Sequence, residues 1–161
     1  MKIKLGPGAL MPVRAFPDDA GLDLFSREEK VIFPGESAVF DTGVHVELPK
    51  GTFMKLESKS GLNVKFGIVS HGGVIDQNYR GSIAVKLYNH GDKPYMIRKG
   101  QKIIQGIIQP YLSPALELVE ELSDSDRGSA GFGSTDIYTR HDPIRETLNN
   151  NSTMWEDDHE R

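Results

Sequence analysis

One acidic residue lies in a segment with the composition of a ligand site. Asp76 belongs to residues 72–81 (GGVIDQNYRG), where two glycines and a short apolar stretch lead into a polar turn that ends at another glycine. The pattern is typical of a tight β-hairpin, which exposes backbone N–H and C=O groups at its mouth. Those groups could pair with the edge of a planar ligand, with Asp76 and Tyr79 beside it. The alternative is an ordinary hairpin whose aspartate begins a turn.

Two further segments have the composition of phosphate sites. Residues 58–62 (SKSGL) open a short helical turn, so the backbone amides, the hydroxyl groups and the Lys59 ammonium could hold phosphate oxygens, although a serine N-cap is the more common meaning. Residues 127–135 lack the Gly-Lys-Ser/Thr ending of a Walker loop. They nevertheless supply amides, hydroxyls, the Arg127 guanidinium and the Phe132 ring, which a plain flexible linker rarely carries.

The candidate metal ligands are hard oxygen donors. Asp18, Asp19 and Asp23 offer carboxylates suited to magnesium, and the alternative for each is a solvated acid in a turn. The sequence contains no cysteine. A disulfide framework, a thiolate zinc site and a cysteine nucleophile are therefore excluded.

Short strands must position these residues. Apolar residues alternate with polar ones in residues 44–48, 52–57 and 83–88, and residues 102–109 form an apolar run interrupted by Gly106. Turn signals containing glycine or proline separate these segments. No helical periodicity persists for three turns, and the best helical candidate follows Ser60. The sequence predicts an all-β domain with at most minor helix.

Composition limits the classes of function. The 161 residues suggest one domain with a tail, and the net charge of −4 gives no global attraction for nucleic acid. No apolar run is long enough to span a membrane, and the N-terminus does not resemble a signal peptide, so we expect a cytoplasmic protein with neither a membrane nor a nucleic acid as partner. Residues 137–161 are too polar to order themselves alone.

Together these segments form an ordered set of motifs that resembles the trimeric dUTPase family. The matching segments span most of the chain, and the third and fifth are long and specific. In chain order they are residues 19–24 (DAGLDL), 58–62 (SKSGL), 72–81 (GGVIDQNYRG), 100–105 (GQKIIQ) and 127–136 (RGSAGFGSTD).

The resemblance implies a fold and a reaction. The fold would be a jelly-roll-like β-barrel at residues 1–126, followed by a mobile glycine-rich lid at residues 127–136 and a polar extension at residues 137–161. The protein would be a homotrimer with active sites shared between subunits. It would hydrolyse dUTP to dUMP and pyrophosphate with Mg²⁺ on the triphosphate. This reaction keeps uracil out of DNA and supplies dUMP for thymidylate synthesis.

The resemblance also implies roles for the residues around the nucleoside. Asp76 would be the general base that deprotonates the attacking water, and Tyr79 would pack under the deoxyribose and reject a 2′-hydroxyl. The backbone around Gly73 and Ile75 would read the uracil edge, and Phe132 would stack over the uracil.

The remaining roles concern the phosphates and the metal. Asp23 would reach magnesium through water. The residues implied to hold or close on the phosphates are Lys59, Ser60, Gly61, Gln105, Arg127, Gly133 and Ser134.

Three features depart from the family pattern. The second motif has Lys59 where the family usually has arginine, which replaces a two-pronged donor by a point charge. Asp136 occupies a position that is usually glycine. The chain also continues for 25 residues beyond the fifth motif, and this tail could bind a protein partner.

Two other functions are compatible with parts of this sequence. The dCTP deaminases share the fold, but they place a catalytic glutamate where this chain has Lys86, and a lysine cannot act as the carboxylate acid/base that deamination requires. The second alternative is a binding or regulatory protein that keeps the fold and uses the tail. The presence of all the catalytic positions argues against an inactive enzyme.

Overall fold

The computed structural model describes residues 1–129, which are mostly β-strand with one short helix. The elements in chain order are β1 (Lys2–Leu5), β2 (Gly21–Phe25), β3 (Lys30–Ile32), β4 (Ser37–Asp41), β5 (Val44–Glu47), β6 (Thr52–Ser58), α1 (Ser60–Phe66), β7 (Ile68–Val69), β8 (Val74–Ile75), β9 (Ala84–Asn89), β10 (Tyr95–Ile97) and β11 (Lys102–Pro110). The all-β prediction is confirmed.

The strands pair in antiparallel sheets. The largest sheet has the order β2-β11-β6-β8, a three-stranded sheet has the order β4-β9-β7, and two pairs are formed by β1 with β5 and by β3 with β10. All of these strands belong to a compact unit, Met1–Ala115, and residues Leu116–Arg161 form a second unit. No helix among the described residues is long and apolar enough to cross a membrane.

Alternating side chains build the core of the first unit. In β9, Val85, Leu87 and Asn89 are buried, whereas Ala84 and Lys86 are exposed. The predicted strands at residues 44–48, 52–57, 83–88 and 102–109 are all present within a residue or two at their ends. Burial of their apolar faces is the main stabilising contribution. The largest fully buried side chains are Phe40, Leu24, Ile32, Met54, Ile68, Ile83, Leu87, Ile97, Ile103 and Ile104.

The predicted helical turn after Ser60 is also confirmed. Helix α1 begins after Lys59, which is the N-cap residue and makes no side-chain capping bond. The serine N-cap alternative is therefore wrong, because the Ser58 hydroxyl instead donates to the Ser70 carbonyl at 3.0 Å. The helix ends at Gly67, whose φ of 66° is the left-handed conformation that glycine adopts without strain.

The segment at residues 72–81 differs from the predicted hairpin. Its first arm is β8, which pairs with β6 and not with the residues that follow it, through Ile75 opposite Met54 and Val74 opposite Lys55. Residues 76–81 form no strand, and beyond them Ile83 donates its N–H to the Val44 carbonyl at 2.9 Å. The segment is a tight turn that leaves the edge of the largest sheet.

Candidate active site

Three of the predicted phosphate and metal residues meet at one end of the largest sheet. Gln105 of β11 lies opposite Asp23 of β2 on one side and Glu57 of β6 on the other. Lys59 follows β6 directly and is the N-cap residue of α1. The Gln105 side-chain amide donates to the Ser58 carbonyl at 3.2 Å, which fixes its orientation beside Lys59. Ser60 and Gly61 form the exposed start of the helix at the same end.

Asp23 is the buried centre of this group. One carboxylate oxygen pairs with the Lys59 ammonium, and the other lies 2.8 Å from the Lys102 ammonium. Burial alone would raise the pKa of Asp23, but hydrogen bonds and charge from Lys102 and Lys59 outweigh it and lower the pKa below its ordinary value. Asp23 is therefore ionised at neutral pH and balances only one of the two lysine charges.

Lys102 is a member of this group that the sequence analysis missed. It lies in the same GQKIIQ motif as Gln105, but regular alternation along a strand would place it on the face opposite to Gln105. The signal that could have identified it is the pair of adjacent isoleucines after Lys102, because two neighbouring apolar residues interrupt the alternation of a regular strand. We refer below to Asp23, Lys59, Lys102 and Gln105 as the anion cluster.

Asp76 lies in a turn that is fixed by its neighbours. The Tyr79 N–H donates to the Asp76 carbonyl at 3.0 Å, and the side-chain oxygen of Gln77 accepts from the Gly51 N–H at 2.6 Å. The Tyr79 hydroxyl donates to the Ser82 carbonyl at 3.0 Å. The tyrosine ring lies so close to Gly81 that any side chain there would overlap it. The turn therefore fixes the backbone at Asp76 and the position of the Tyr79 ring, and both residues are accessible to solvent.

A cavity of about 490 Å³ opens beside Asp76, lined by Phe53, Val74, Asp76, Gln77, Asn78 and Tyr111. This volume is within the range of small-molecule sites. Gly73 uses its carbonyl to accept from the Leu56 N–H at 2.9 Å, and the Ile75 side chain is buried.

Within one chain the turn and the anion cluster lie far apart. Met54 of β6 pairs with Ile75, directly before Asp76, whereas Lys59 lies five residues farther along the chain, just beyond the end of β6. An extended strand advances about 3.4 Å per residue, so these positions are roughly 17 Å apart. Asp76 follows Ile75 in the direction away from Lys59, which increases the separation.

Comparisons with known proteins identify the family. The family model for dUTPase matches residues 8–136. The deoxyuridine 5′-triphosphate nucleotidohydrolase of Clostridium acetobutylicum is 46% identical over 136 residues, which cover 83% of this chain and 94% of that protein. The chain belongs to the dUTPase family. The corresponding enzyme of Gloeothece citriformis is 42% identical over 136 residues, which cover 83% of this chain and 94% of that protein.

Solved dUTPase structures share the fold. A dUTPase variant of Staphylococcus bacteriophage 80alpha with dUpNHpp superimposes with a TM-score of 0.78 at 34% identity, covering 84% of this chain and 98% of the phage chain. A phage phi11 dUTPase variant, described for its coordination of a structural Mg(II) ion, has a TM-score of 0.70 at 31% identity, over 74% of this chain and 96% of that one. The predicted jelly-roll-like fold is confirmed.

The donor set of this chain fits a magnesium ion that a nucleotide carries. The described residues contain no group of three or more histidine, aspartate or glutamate side chains that could hold a metal. The anion cluster supplies one carboxylate, Asp23. Magnesium commonly keeps several waters and binds through one or two carboxylates together with substrate phosphates. Asp19 does not join Asp23, because its carboxylate accepts from the Phe16 N–H at 2.9 Å within a turn.

The position at which a dCTP deaminase is expected to have its catalytic glutamate carries Lys86 in this chain. Lys86 is exposed on β9, and its ammonium lies 5.0 Å from the centre of the Tyr88 ring. The contact is a cation–π interaction on the surface, and it provides no acid/base group for deamination.

The fifth motif lies mostly outside the described residues. Arg127 is exposed in a turn in which the Gly128 N–H donates to the Ser125 carbonyl at 3.0 Å. Phe132, Gly133, Ser134, Asp136 and the extension at residues 137–161 lie outside the described part of the chain, and their roles stay predictions, as do the boundaries at residues 126 and 136.

Proposed function

We propose that this chain hydrolyses dUTP to dUMP and pyrophosphate, which keeps uracil out of DNA and supplies dUMP for thymidylate synthesis. The observation that carries the proposal is the anion cluster, in which Asp23, Lys59 and Gln105 meet in a chain of the dUTPase family. Relatives at 40–46% identity are named for this reaction. The cytoplasm, where nucleotides for DNA synthesis are used, is the location that this function implies.

The cluster is suited to the triphosphate. In-line attack on phosphorus needs mainly positioning of the reactants and neutralisation of charge. Lys59 supplies positive charge, and Ser60 and Gly61 present a hydroxyl and backbone amides at the start of α1. Gln105, oriented by its bond to Ser58, supports the phosphates from the neighbouring strand.

The turn is suited to the nucleoside and the water. Asp76 would accept a proton from the attacking water, and its exposure beside a cavity leaves room for both reactants. Tyr79, held against Gly81 and bonded to Ser82, would form a fixed surface under the deoxyribose that excludes a 2′-hydroxyl. The backbone at Gly73 and Ile75 would read the uracil edge.

Mg²⁺ would accompany the triphosphate, and Asp23 would contact the metal through a bound water. When bound, it would neutralise phosphate charge and stabilise the leaving pyrophosphate. Lys59 and Lys102 keep Asp23 ionised and fix the position of its two oxygens, so this carboxylate is ready to accept hydrogen bonds from metal-bound water.

The active site would be shared between subunits of a homotrimer. The separation of roughly 17 Å along β6 supports this, because the turn and the cluster of one chain point to different ends of the same sheet. A second subunit would bring its cluster to the turn of the first. Arg127, Phe132, Gly133 and Ser134 would close on the nucleotide from a lid, and the extension beyond Asp136 could bind a protein partner.

The test is pyrophosphate release from dUTP compared with dCTP, dTTP and UTP. We expect rapid release from dUTP alone, at least a hundredfold faster than from UTP, because a site shaped against the 2′-hydroxyl excludes ribonucleotides. Ammonia release from dCTP would instead indicate a deaminase. Absence of turnover with every nucleotide would favour a binding or regulatory protein.

A further inference from the structure

Lys102 occupies a position in the anion cluster that regular strand geometry would not give it. Pairing between β11 and β2 is regular from Ile107 to Ile104, which lies opposite Leu24, but Lys102 lies opposite Phe25. One extra residue, Ile103, is therefore accommodated in β11 between these two pairs. This arrangement is a β-bulge.

The bulge determines which way Lys102 points. Ile103 and Ile104 are both buried, with 1% and 0% of their surface exposed. In an unbroken strand, Lys102 would share the face of Ile104 and point into the core. The bulge allows both isoleucines to enter the core and turns Lys102 to the face of Asp23 and Gln105. Bulges often redirect a side chain next to an active site.

The cluster has an excess of positive charge. Asp23 pairs with both ammonium groups, and the Lys59 and Lys102 side chains are 26% and 39% exposed, so each can also reach a ligand. Glu57 lies opposite Gln105 on β6, and its carboxylate is already paired with Lys55 at 2.5 Å. One carboxylate and two ammonium groups leave a local charge of about +1, with unused N–H donors on both lysines.

We propose that Lys102 is a second polyphosphate-binding cation that acts together with Lys59. The inference rests on the proposed function, which it deepens by naming the part of the substrate that is recognised. Two ammonium groups held on one carboxylate match an anion whose charges are spread over several linked phosphates. A single phosphate engages only one of them. Lys102 also compensates for the single point charge of Lys59.

The test uses inorganic tripolyphosphate as the probe, with binding to the full-length chain measured by calorimetry at low ionic strength. Lys102→Met removes the charge and keeps an unbranched side chain, while Asp23 stays paired with Lys59. We expect tripolyphosphate binding to weaken by about tenfold or more, because a charge-assisted hydrogen bond is lost. Lys102→Arg should restore most of it, and dUMP binding should change by less than about threefold.

The matched control is Lys30→Met. Lys30 also lies in a strand, pairs with a carboxylate, Glu28, at 2.9 Å and is 41% exposed, but it is not in the cluster. Its replacement should leave tripolyphosphate binding unchanged. Circular dichroism and thermal melting check the fold of each variant, and Lys102→Gln is the second variant if the methionine variant does not fold.

Unchanged tripolyphosphate binding in a folded Lys102→Met or Lys102→Gln protein would overturn the proposal. An equal loss for tripolyphosphate and dUMP would also overturn it, because that result indicates a merely structural role. The proposed function is judged separately by dUTP turnover. If dUTP is hydrolysed but binding of tripolyphosphate does not depend on Lys102, the function stands and this inference fails. If tripolyphosphate binding depends on Lys102 but dUTP is not hydrolysed, the inference about Lys102 stands and the proposed function fails.

Discussion

Two aspartates of this chain have opposite surroundings, and their proposed roles follow from that contrast. Asp23 is buried between two lysines, whereas Asp76 is exposed in a turn beside a cavity. A carboxylate whose two oxygens are both paired is suited to holding charge in place. An exposed carboxylate is free to accept a proton from water.

Replacing Asp76 by asparagine tests its role as base. The change keeps volume and hydrogen bonding but removes the proton acceptor, so we expect kcat for dUTP to fall by about 10² to 10⁴ while nucleotide binding persists. Steady-state kinetics and calorimetry measure the two effects. Asp92→Asn, at another exposed turn, is the control and should retain full activity. Near wild-type turnover in Asp76→Asn would contradict the assignment.

Replacing Asp23 by asparagine tests the ion pairs through the pH dependence of stability. Because the pKa of Asp23 is lowered in the folded state, its contribution is fully present above the unfolded pKa of about 3.9 and is lost as the pH falls through the folded pKa. We expect the variant to be less stable by about 1 to 2 kcal/mol at pH 7, a value reduced for the partly exposed lysines. Below the folded pKa the difference should shrink.

Urea unfolding from pH 7 down to pH 2.5 provides the measurement. Glu47→Gln is the control, because Glu47 pairs with Lys2 at 2.8 Å on the surface and such pairs contribute little. A difference between Asp23→Asn and the native chain that stays constant across this range would show that the carboxylate charge is not the cause.

At the scale of elements, the tightest backbone contact at α1 is at its C-terminal end, seven residues after Ser60. Gly67 has a φ of 66°, and a Cβ there would lie 2.6 Å from the backbone nitrogen of Gly91. We expect Gly67→Ala to lower the free energy of unfolding by about 2 to 4 kcal/mol, because strain and overlap with backbone atoms combine. Gly35→Ala has the same strain, with a φ of 76°, but open space around it.

Urea denaturation compares the two glycine variants. Gly35→Ala should cost only about 1 kcal/mol, the strain of the left-handed conformation alone. Equal losses in both variants would show that overlap of the new Cβ with the Gly91 backbone adds nothing to the loss of stability in Gly67→Ala.

Three of the four strands that the sequence predicted have regular alternation, and the fourth, β11, is an apolar run. In β5, β6 and β9, the alternation of apolar and polar residues in the sequence matches the alternation of buried and exposed residues in the structure. The sequence alone therefore shows which face of each strand is buried. The hairpin prediction was wrong because β8 pairs with β6, and a two-residue strand carries no pattern that selects its partner. Lys102 was missed for a related reason, since a bulge changes the face of a side chain without changing the composition of the strand.

The site was predictable to the extent that it follows motifs. Asp23, Lys59 and Gln105 come from separate motifs and do meet in the structure. The distance between Asp76 and Lys59 could not be derived from the sequence, because it depends on the register of β8 against β6. That register is set by long-range packing of Ile75 in the core.

At the scale of the whole molecule, we expect residues 127–136 to act as a lid and residues 137–161 to be a separate, dispensable extension. A chain ending at Asp136 should fold and hydrolyse dUTP at a rate similar to that of the full chain, because polar ends bury little surface. A chain ending at Asp126 should fold but turn over slowly, since it lacks Arg127 and Phe132. Circular dichroism and steady-state kinetics measure both. Loss of activity after removal of residues 137–161 alone would give the extension a structural or catalytic role.

The central claim is that a turn from one subunit and an anion cluster from another complete each active site. Mixing subunits of two impaired variants, Asp76→Asn and Lys59→Met, tests it most directly. Equal mixing gives each site an intact turn with a probability of one half and an intact cluster from another chain with a probability of one half. Activity should therefore rise to about one quarter of the wild-type value. Native mass spectrometry verifies that mixed trimers have formed. Activity that stays at the mean of the two parent variants after verified exchange would contradict the claim.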